Sequence, residues 1–120
     1  MNRKVSVAPM MDCTDKHERY FLRLISKNVL LYTEMIVSEA IDRGDKKKLL
    51  SFNLEEKPVA LQIGGSSPSL LGNAAKLGED FGYDEINLNL GCPSKKVQKN
   101  KFGACLIKEP NLIVDCLEKM

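Results

Sequence analysis

Tryptophan is absent from this sequence, and histidine and surplus charge are both scarce. His17 is the only histidine, and the predicted layout places it on the first helix, far from Cys92, so a cysteine–histidine nucleophile is not expected. The 18 basic and 16 acidic residues leave a net charge of +2, which is too small by itself to indicate nucleic-acid binding. The length of 120 residues is that of one ordinary domain.

The 4 cysteines lack the C-x-x-C spacing of a zinc or dithiol site. The apolar stretch over residues 5–9 is too short for a signal peptide or a membrane span. We therefore expect free thiols, no metal, no membrane contact and the reducing environment of the cytoplasm.

Strand-like and helix-like segments alternate along the chain. Asp15, at a capping-box spacing before Glu18, predicts the first helix, and Ser66 or Ser67 with Pro68 predicts another. A last helix is expected from Pro110. The candidate strands are residues 5–9, 30–35, 59–63 and 84–90. The apolar stripe of the first helix comprises Tyr20, Phe21, Leu24 and Ile25. Residues 36–57 are expected to be irregular, with the lysines at 46–48 in solvent.

Strands joined through helices by short links predict right-handed βα units and a parallel sheet. Glu34, Gln62 and Asn89 stand near the carboxyl ends of three candidate strands, on the face opposite the apolar residues. A doubly wound sheet is usually apolar on both faces, whereas a TIM barrel builds its active site at these ends. We therefore predict a parallel (β/α)8 TIM barrel, an α/β fold, of which residues 1–120 hold only the first four βα units. The chain is then a truncated amino-terminal half of a catalytic domain.

The most informative stretch runs from Asn87 to Pro93. Side chains on a strand alternate between faces, so Asn87 and Asn89 share one face while the neighbouring apolar residues share the other. The Gly91-Cys92-Pro93 turn then holds a cysteine at the strand end. From these residues alone, a buried structural cysteine is an open alternative to a reactive one.

Several stretches together resemble the flavin-dependent tRNA-dihydrouridine synthases, and some resemble the bacterial A-type subgroup of that family. The most specific element is Asn89-x-Gly91-Cys92-Pro93 following the strand that contains Gln62. The other stretches are residues 6–12, 31–35 and 58–65, and, for the A-type subgroup, residues 19–24 and 102–105.

This resemblance implies FMN-dependent reduction of uridine to dihydrouridine in the D-loop of tRNA, with NADPH restoring the flavin. Hydride would pass to C6 of the base, and Cys92 would deliver a proton to C5. Pro9, Met10 and Met11 would contact the flavin, Gln62 would hydrogen-bond its ring, and Asn89 would contact the uracil. The family's carboxyl-terminal helical domain, which binds tRNA, is expected to lie outside this chain.

Other interpretations are kept beside these. Lys95 and Lys96 follow the cysteine closely and suit either a solvated loop or contacts to tRNA phosphates. Gln62 could pair with a neighbouring backbone group, and Glu34 could be a structural anchor for the segment after the second strand instead of a substrate contact. The whole chain could belong to a small-molecule flavin oxidoreductase of the dihydroorotate-dehydrogenase type, or be a non-catalytic half-barrel that self-associates.

Overall fold

The computed structural model describes residues 4–120, in which helices alternate with parallel strands. The strands are β1 (Leu31–Tyr32), β2 (Ile36–Val37), β3 (Val59–Gly64) and β4 (Glu85–Leu88). The α-helices are α1 (Lys16–Ile25), α2 (Ser38–Arg43), α3 (Lys46–Leu50), α4 (Pro68–Phe81), α5 (Lys95–Lys99) and α6 (Pro110–Lys119). Two 3-10 helices cover Leu54–Glu56 and Gly103–Lys108. Within this part of the chain, no helix is both long and apolar enough to cross a membrane.

The central strand of the sheet is β3, and each of the other three strands pairs with it. β1 and β2 pair in parallel with one edge of β3, and β4 pairs in parallel with the other edge. Beyond β1, Ser6 forms a parallel bridge with Leu30, which is all that remains of the predicted first strand within the described residues. The prediction of a parallel α/β sheet is therefore confirmed.

The predicted strand over residues 30–35 is regular only at β1, and β2 lies beyond its predicted end, because a side chain enters the backbone ladder between the two. The N–H of Gln62 donates to the Thr33 hydroxyl oxygen at 3.0 Å. The N–H of Thr33 still donates to the Ala60 carbonyl at 2.9 Å. A threonine hydroxyl thus takes the place of a carbonyl acceptor, and regular pairing resumes only at β2.

The helix ends follow local signals in the sequence. Asp15 caps α1 by accepting from the N–H groups of His17 and Glu18. The reciprocal half of the expected capping box is missing: Oε2 of Glu18 is buried and has no hydrogen-bond partner within residues 4–120, and burial raises the pKa of this carboxyl group. Ser67 caps α4, and Gly82 ends it with a φ of 90°, a left-handed conformation that favours glycine.

The stretch over residues 36–57, expected to be irregular, contains β2, the short helices α2 and α3 and a 3-10 helix, so that prediction was wrong over most of its length. Asp45 caps α3 by accepting from the N–H of Lys48, and the lysines of this helix are exposed as expected. Helices of this length carry too few residues for a clear apolar period, and only their packing against the core makes them stable.

The main core lies between the sheet and the helices α2, α4 and α6. Its fully or almost fully buried members are Ile41, Leu50, Leu61, Ile63, Leu71, Ala74 and Cys116. A second, smaller cluster of Val97, Phe102 and Leu106 lies on the segment after β4. The apolar face of the sheet, with Leu61 and Ile63 in the core and Leu88 packed against it, is therefore the face that the helices cover.

Helix α1 buries charged residues and exposes its apolar face, which is the opposite of what the burial of apolar residues predicts. Its predicted apolar stripe is exposed, with Leu24 69% and Ile25 68% accessible, while Arg19 and Arg23 are buried. Both guanidinium groups are held by polar partners around Glu56: Arg19 bonds its carboxylate, and Arg23 bonds its backbone carbonyl. Strong charge-assisted bonds therefore orient this helix.

Candidate functional site

Two side-chain amides meet on neighbouring strands at the face predicted to be polar. Gln62 on β3 and Asn87 on β4 are register partners in the parallel ladder. Nε2 of Gln62 donates to Oδ1 of Asn87 at 2.8 Å. On the other face of the same strands, Leu61 and Ile63 lie in the core and Ile86 and Leu88 pack against it. Strand alternation therefore gives this sheet one apolar face and one amide-lined face.

Asn89 connects these amides to the cysteine turn. Its Nδ2 donates to Oε1 of Gln62 at 3.0 Å, and its Oδ1 accepts from the N–H of Cys92 at 3.0 Å. The result is a chain of hydrogen bonds from Asn87 through Gln62 and Asn89 to the Cys92 backbone, which we call the amide relay. The sequence predicted Gln62, Asn89 and Cys92 as neighbours, and the structure joins them.

The far side of the cysteine turn is held by a glycine that sequence reasoning did not single out. The Cys92 carbonyl accepts from the N–H of Ala104 at 3.1 Å. Gly103 has a φ of 65°, and a Cβ atom there would lie 2.7 Å from the Cys92 oxygen. Only glycine permits both this conformation and this approach. Gly103 entered the sequence analysis only within residues 102–105 of the family resemblance, and the signal for its role was a glycine followed by small residues shortly after the Gly91-Cys92-Pro93 turn.

Cys92 itself is half-buried and packs beside the cluster of Val97, Phe102 and Leu106. All 4 cysteines of the chain are free, and Cys116 is the buried one. Cys92 is therefore neither enclosed in the main core nor a freely exposed surface thiol. A half-buried thiol on a turn held from both sides is suited to meeting a ligand in one orientation.

The segment after the first β-bridge is a compact turn. The N–H of Thr14 donates to the Met10 carbonyl at 2.9 Å, and the Thr14 hydroxyl oxygen accepts from the N–H of Met10. The N–H of Asp12, whose φ is 61°, donates to Oε1 of Glu34 at 2.6 Å. Glu34 is thus an anchor, as one of the two interpretations had it, but it holds the segment after the first bridge.

Pro9, Met10 and Met11 occupy the start of this turn, and the two methionines are 56% and 55% exposed. Parallel pairing places their segment at the same edge of the sheet as the ends of β3 and β4. Within residues 4–120, no hydrogen bond joins these three residues to the amide relay. The structure therefore brings them to the same end of the sheet as Gln62 without a hydrogen bond to it.

Lys95 and Lys96 lie in α5, not in the loop that was one of the predicted alternatives. Ser94 caps this helix by accepting from the N–H of Val97, which faces inward while both lysines are exposed. Nε2 of Gln98 donates to the Pro93 carbonyl at 2.6 Å. The helix that carries the lysines is thereby fastened to the cysteine turn.

Comparison with known proteins identifies the family. The family model described as dihydrouridine synthase (Dus) matches residues 6–120. This chain belongs to the dihydrouridine synthase family. The sequence resemblance to this family is confirmed, and the match to the dihydrouridine synthases includes the whole amide relay and the Cys92 turn.

Curated relatives carry the name tRNA-dihydrouridine(20/20a) synthase. The chain is 59% identical over 116 residues to the Synechocystis sp. protein, which covers 97% of the chain and 35% of that relative. It is 57% identical over 117 residues to the Escherichia coli K12 and Vibrio vulnificus proteins, covering 98% of the chain in each case and 34% and 36% of the relatives. The chain thus spans about a third of the length of these relatives.

Proposed function

We propose that this chain is the first part of the catalytic domain of an enzyme that reduces uridine to dihydrouridine in the tRNA D-loop. The observation that carries the proposal is the hydrogen-bonded connection from Gln62 through Asn89 to Cys92. It lies at the carboxyl ends of parallel strands, where barrel enzymes place their reacting groups. Family membership and the names of the relatives support tRNA as the substrate.

The proposed architecture is a TIM barrel of which this chain supplies the first four βα units. The parallel pairing of β1, β2 and β4 with the central strand β3 supports this proposal, because a barrel of this type is built from parallel strands that are each followed by a helix. A complete barrel of about 250 residues would need roughly twice this length. The tRNA-reading helical domain would likewise lie beyond these residues, in the remaining two-thirds of proteins such as the relatives.

The residues present fit a flavin. A primary amide has two N–H groups and two acceptor positions, and the relay uses one of each on Gln62. One donor and one acceptor are left for the polar edge of a flavin ring, and Pro9, Met10 and Met11 offer apolar surface for its face. When bound, FMN would supply the hydride for C6 of the base, and NADPH would restore its reduced state.

Cys92 would give the proton that C5 of the uracil needs. A thiol in water keeps its proton at neutral pH, which suits a general acid. The bonds from Asn89 and Ala104 fix the turn on both sides, so the thiol has a defined position relative to the sheet. Asn89 retains one N–H and one lone pair after its two relay bonds, and we assign these to the uracil.

Lys95 and Lys96 would meet phosphates of the RNA beside the flipped-out base. A base in a stacked loop must leave its neighbours before it reaches a half-buried thiol. Exposed lysines on a helix fastened to the thiol-bearing turn would hold the adjoining backbone while it does so. A small-molecule flavin oxidoreductase of the dihydroorotate type would need no such cations, and it would retain no tRNA on a filter.

A chimera tests the proposal directly. Residues 1–120 replace the matching part of the E. coli relative, and dihydrouridine in tRNA is measured by mass spectrometry in a strain lacking that relative. The chimera should restore dihydrouridine, and Cys92→Ala should reduce its rate at least about 100-fold, the usual contribution of a general acid, while flavin absorbance persists. Cys105→Ala, which alters another half-buried thiol, is the matched control and should remain active.

Two results would reject parts of this proposal. Dihydrouridine formation by the Cys92→Ala chimera at the unmodified rate would remove the proton-donor role. A chain that binds no flavin, forms dimers in sedimentation and does not complement would instead be the self-associating, non-catalytic alternative. The exposed apolar stripe of α1 is the surface through which such association would occur.

A further inference from the structure

The donor-to-acceptor direction of the amide relay is determined at its Cys92 end, where a backbone N–H group can only donate. The backbone N–H of Cys92 is a donor, so Asn89 must present its oxygen to it. Nδ2 of Asn89 then faces Gln62 and donates to it, so Gln62 must present Oε1 as the acceptor. Gln62 in turn directs Nε2 towards Oδ1 of Asn87. If any one of these amides rotated by half a turn, donors would face donors.

We propose that Asn87 is a positioning residue of this site, acting through Gln62 and Asn89 on the turn that carries Cys92. The proposal rests on the proposed function for its catalytic meaning, since it couples the flavin-contacting glutamine to the thiol-bearing turn. Asn87 closes the relay at the end opposite Cys92, and its contribution is a single acceptor oxygen. The sheet register places that oxygen opposite Gln62.

Burial makes this acceptor hard to replace. Gln62 is 6% exposed, so water has little access to its amide when Asn87 is altered. A buried N–H without an acceptor is costly, and rotation of the Gln62 amide would expose Asn89 to the wrong partner. Loss of the acceptor at position 87 should therefore loosen the Asn89 bond to Cys92, although the hydrogen bond of Asn87 within this relay is to Gln62 alone.

The test compares two substitutions at the same position in the 120-residue chain. Asn87→Asp keeps an acceptor oxygen, whereas Asn87→Leu fills similar space without one. Iodoacetamide alkylation of each cysteine is followed by peptide mass spectrometry, and the rate at Cys92 is divided by that at the buried Cys116. We expect this ratio to rise about five-fold in Asn87→Leu, the worth of one hydrogen bond, and to stay unchanged in Asn87→Asp. Asn73→Leu, at an exposed position on α4, is the matched control.

The outcomes separate positioning from general loosening of the fold. Equal ratios in the two Asn87 variants, or a parallel rise at Cys92 and Cys116, would overturn the proposal. Asn87→Ala provides the same comparison if the leucine variant does not fold, with amide hydrogen exchange at Cys92 as its readout. FMN titration of the chimera that carries residues 1–120 tests the proposed function separately. The expected alkylation ratios together with a chimera that binds no FMN would contradict the flavin part of the proposed function and keep the relay.

Discussion

Glu56 is the residue whose alteration should most clearly reveal what holds helix α1 in place. Its side chain is fully buried, and Oε2 lies 2.6 Å from Nε of Arg19. Its other oxygen accepts from the backbone N–H of Asn53 at 2.8 Å. Glu56→Gln preserves the shape and the Asn53 bond but removes the charge and turns an N–H group towards the guanidinium group. A buried arginine would then lack its counter-charge.

The expected cost follows from that uncompensated charge. Removing one partner of a buried ion pair usually destabilises a protein by about 3–5 kcal/mol. A domain of this size has a free energy of unfolding of about 5–15 kcal/mol, so Glu56→Gln should lose a large share of it. In urea, with a slope of about 2 kcal/mol per molar, the unfolding midpoint should fall by about 2 M.

Circular dichroism during urea unfolding is the assay. Lys76→Gln is the control, since Lys76 pairs with Glu79 and Asp80 in solvent and its removal should leave the midpoint in place. The double variant Arg19→Met with Glu56→Gln should recover part of the loss, because no charge is then left unpaired. A midpoint for Glu56→Gln within about 0.3 M of the unmodified chain, or a double variant less stable than Glu56→Gln, would refute this account of α1.

Two further predictions concern pH and salt. The Tyr83 hydroxyl donates to the Leu50 carbonyl at 3.0 Å, and burial raises its pKa from 10 to about 12. Because the pKa of Tyr83 is higher in the folded state than in the unfolded state, it should contribute about 2–3 kcal/mol of stability below pH 10, and this contribution should be lost between pH 10 and 12. In Tyr83→Phe the urea midpoint should change less with pH across that interval. If the variant shows the same pH dependence as the unmodified chain, the loss does not come from Tyr83. Replacing Lys95 and Lys96 by glutamine in the chimera should reduce the slope of log tRNA affinity against log salt by about 1–2, whereas Lys76→Gln should leave it unaltered; equal slopes would argue against phosphate contact.

Much of the candidate site could be predicted from the sequence because its geometry is local. Asn87 and Asn89 share a face through strand alternation alone, and the Gly-Cys-Pro turn places Cys92 beside them. Gln62 was predicted to lie near these residues because the carboxyl ends of parallel strands meet at the same end of the sheet. The roles of Met10 and Met11 stay predictions, since nothing in the described residues ties them to the relay.

The sequence by itself determined the alternation of parallel strands with the helices α1, α4 and α6, the caps of α1 and α4 and the amide-lined face, because each depends on residues a few positions apart. Tertiary structure decided which face of α1 is buried, since Arg19 finds Glu56 only across 37 positions of chain. Tertiary structure also decided that Thr33 interrupts a strand and that Gly103 lies close to the Cys92 carbonyl. It likewise decided which amide groups donate and which accept in the amide relay. Hydrogen-bond partners far apart in the chain leave no periodic signal, and only folding brings a donor to its acceptor.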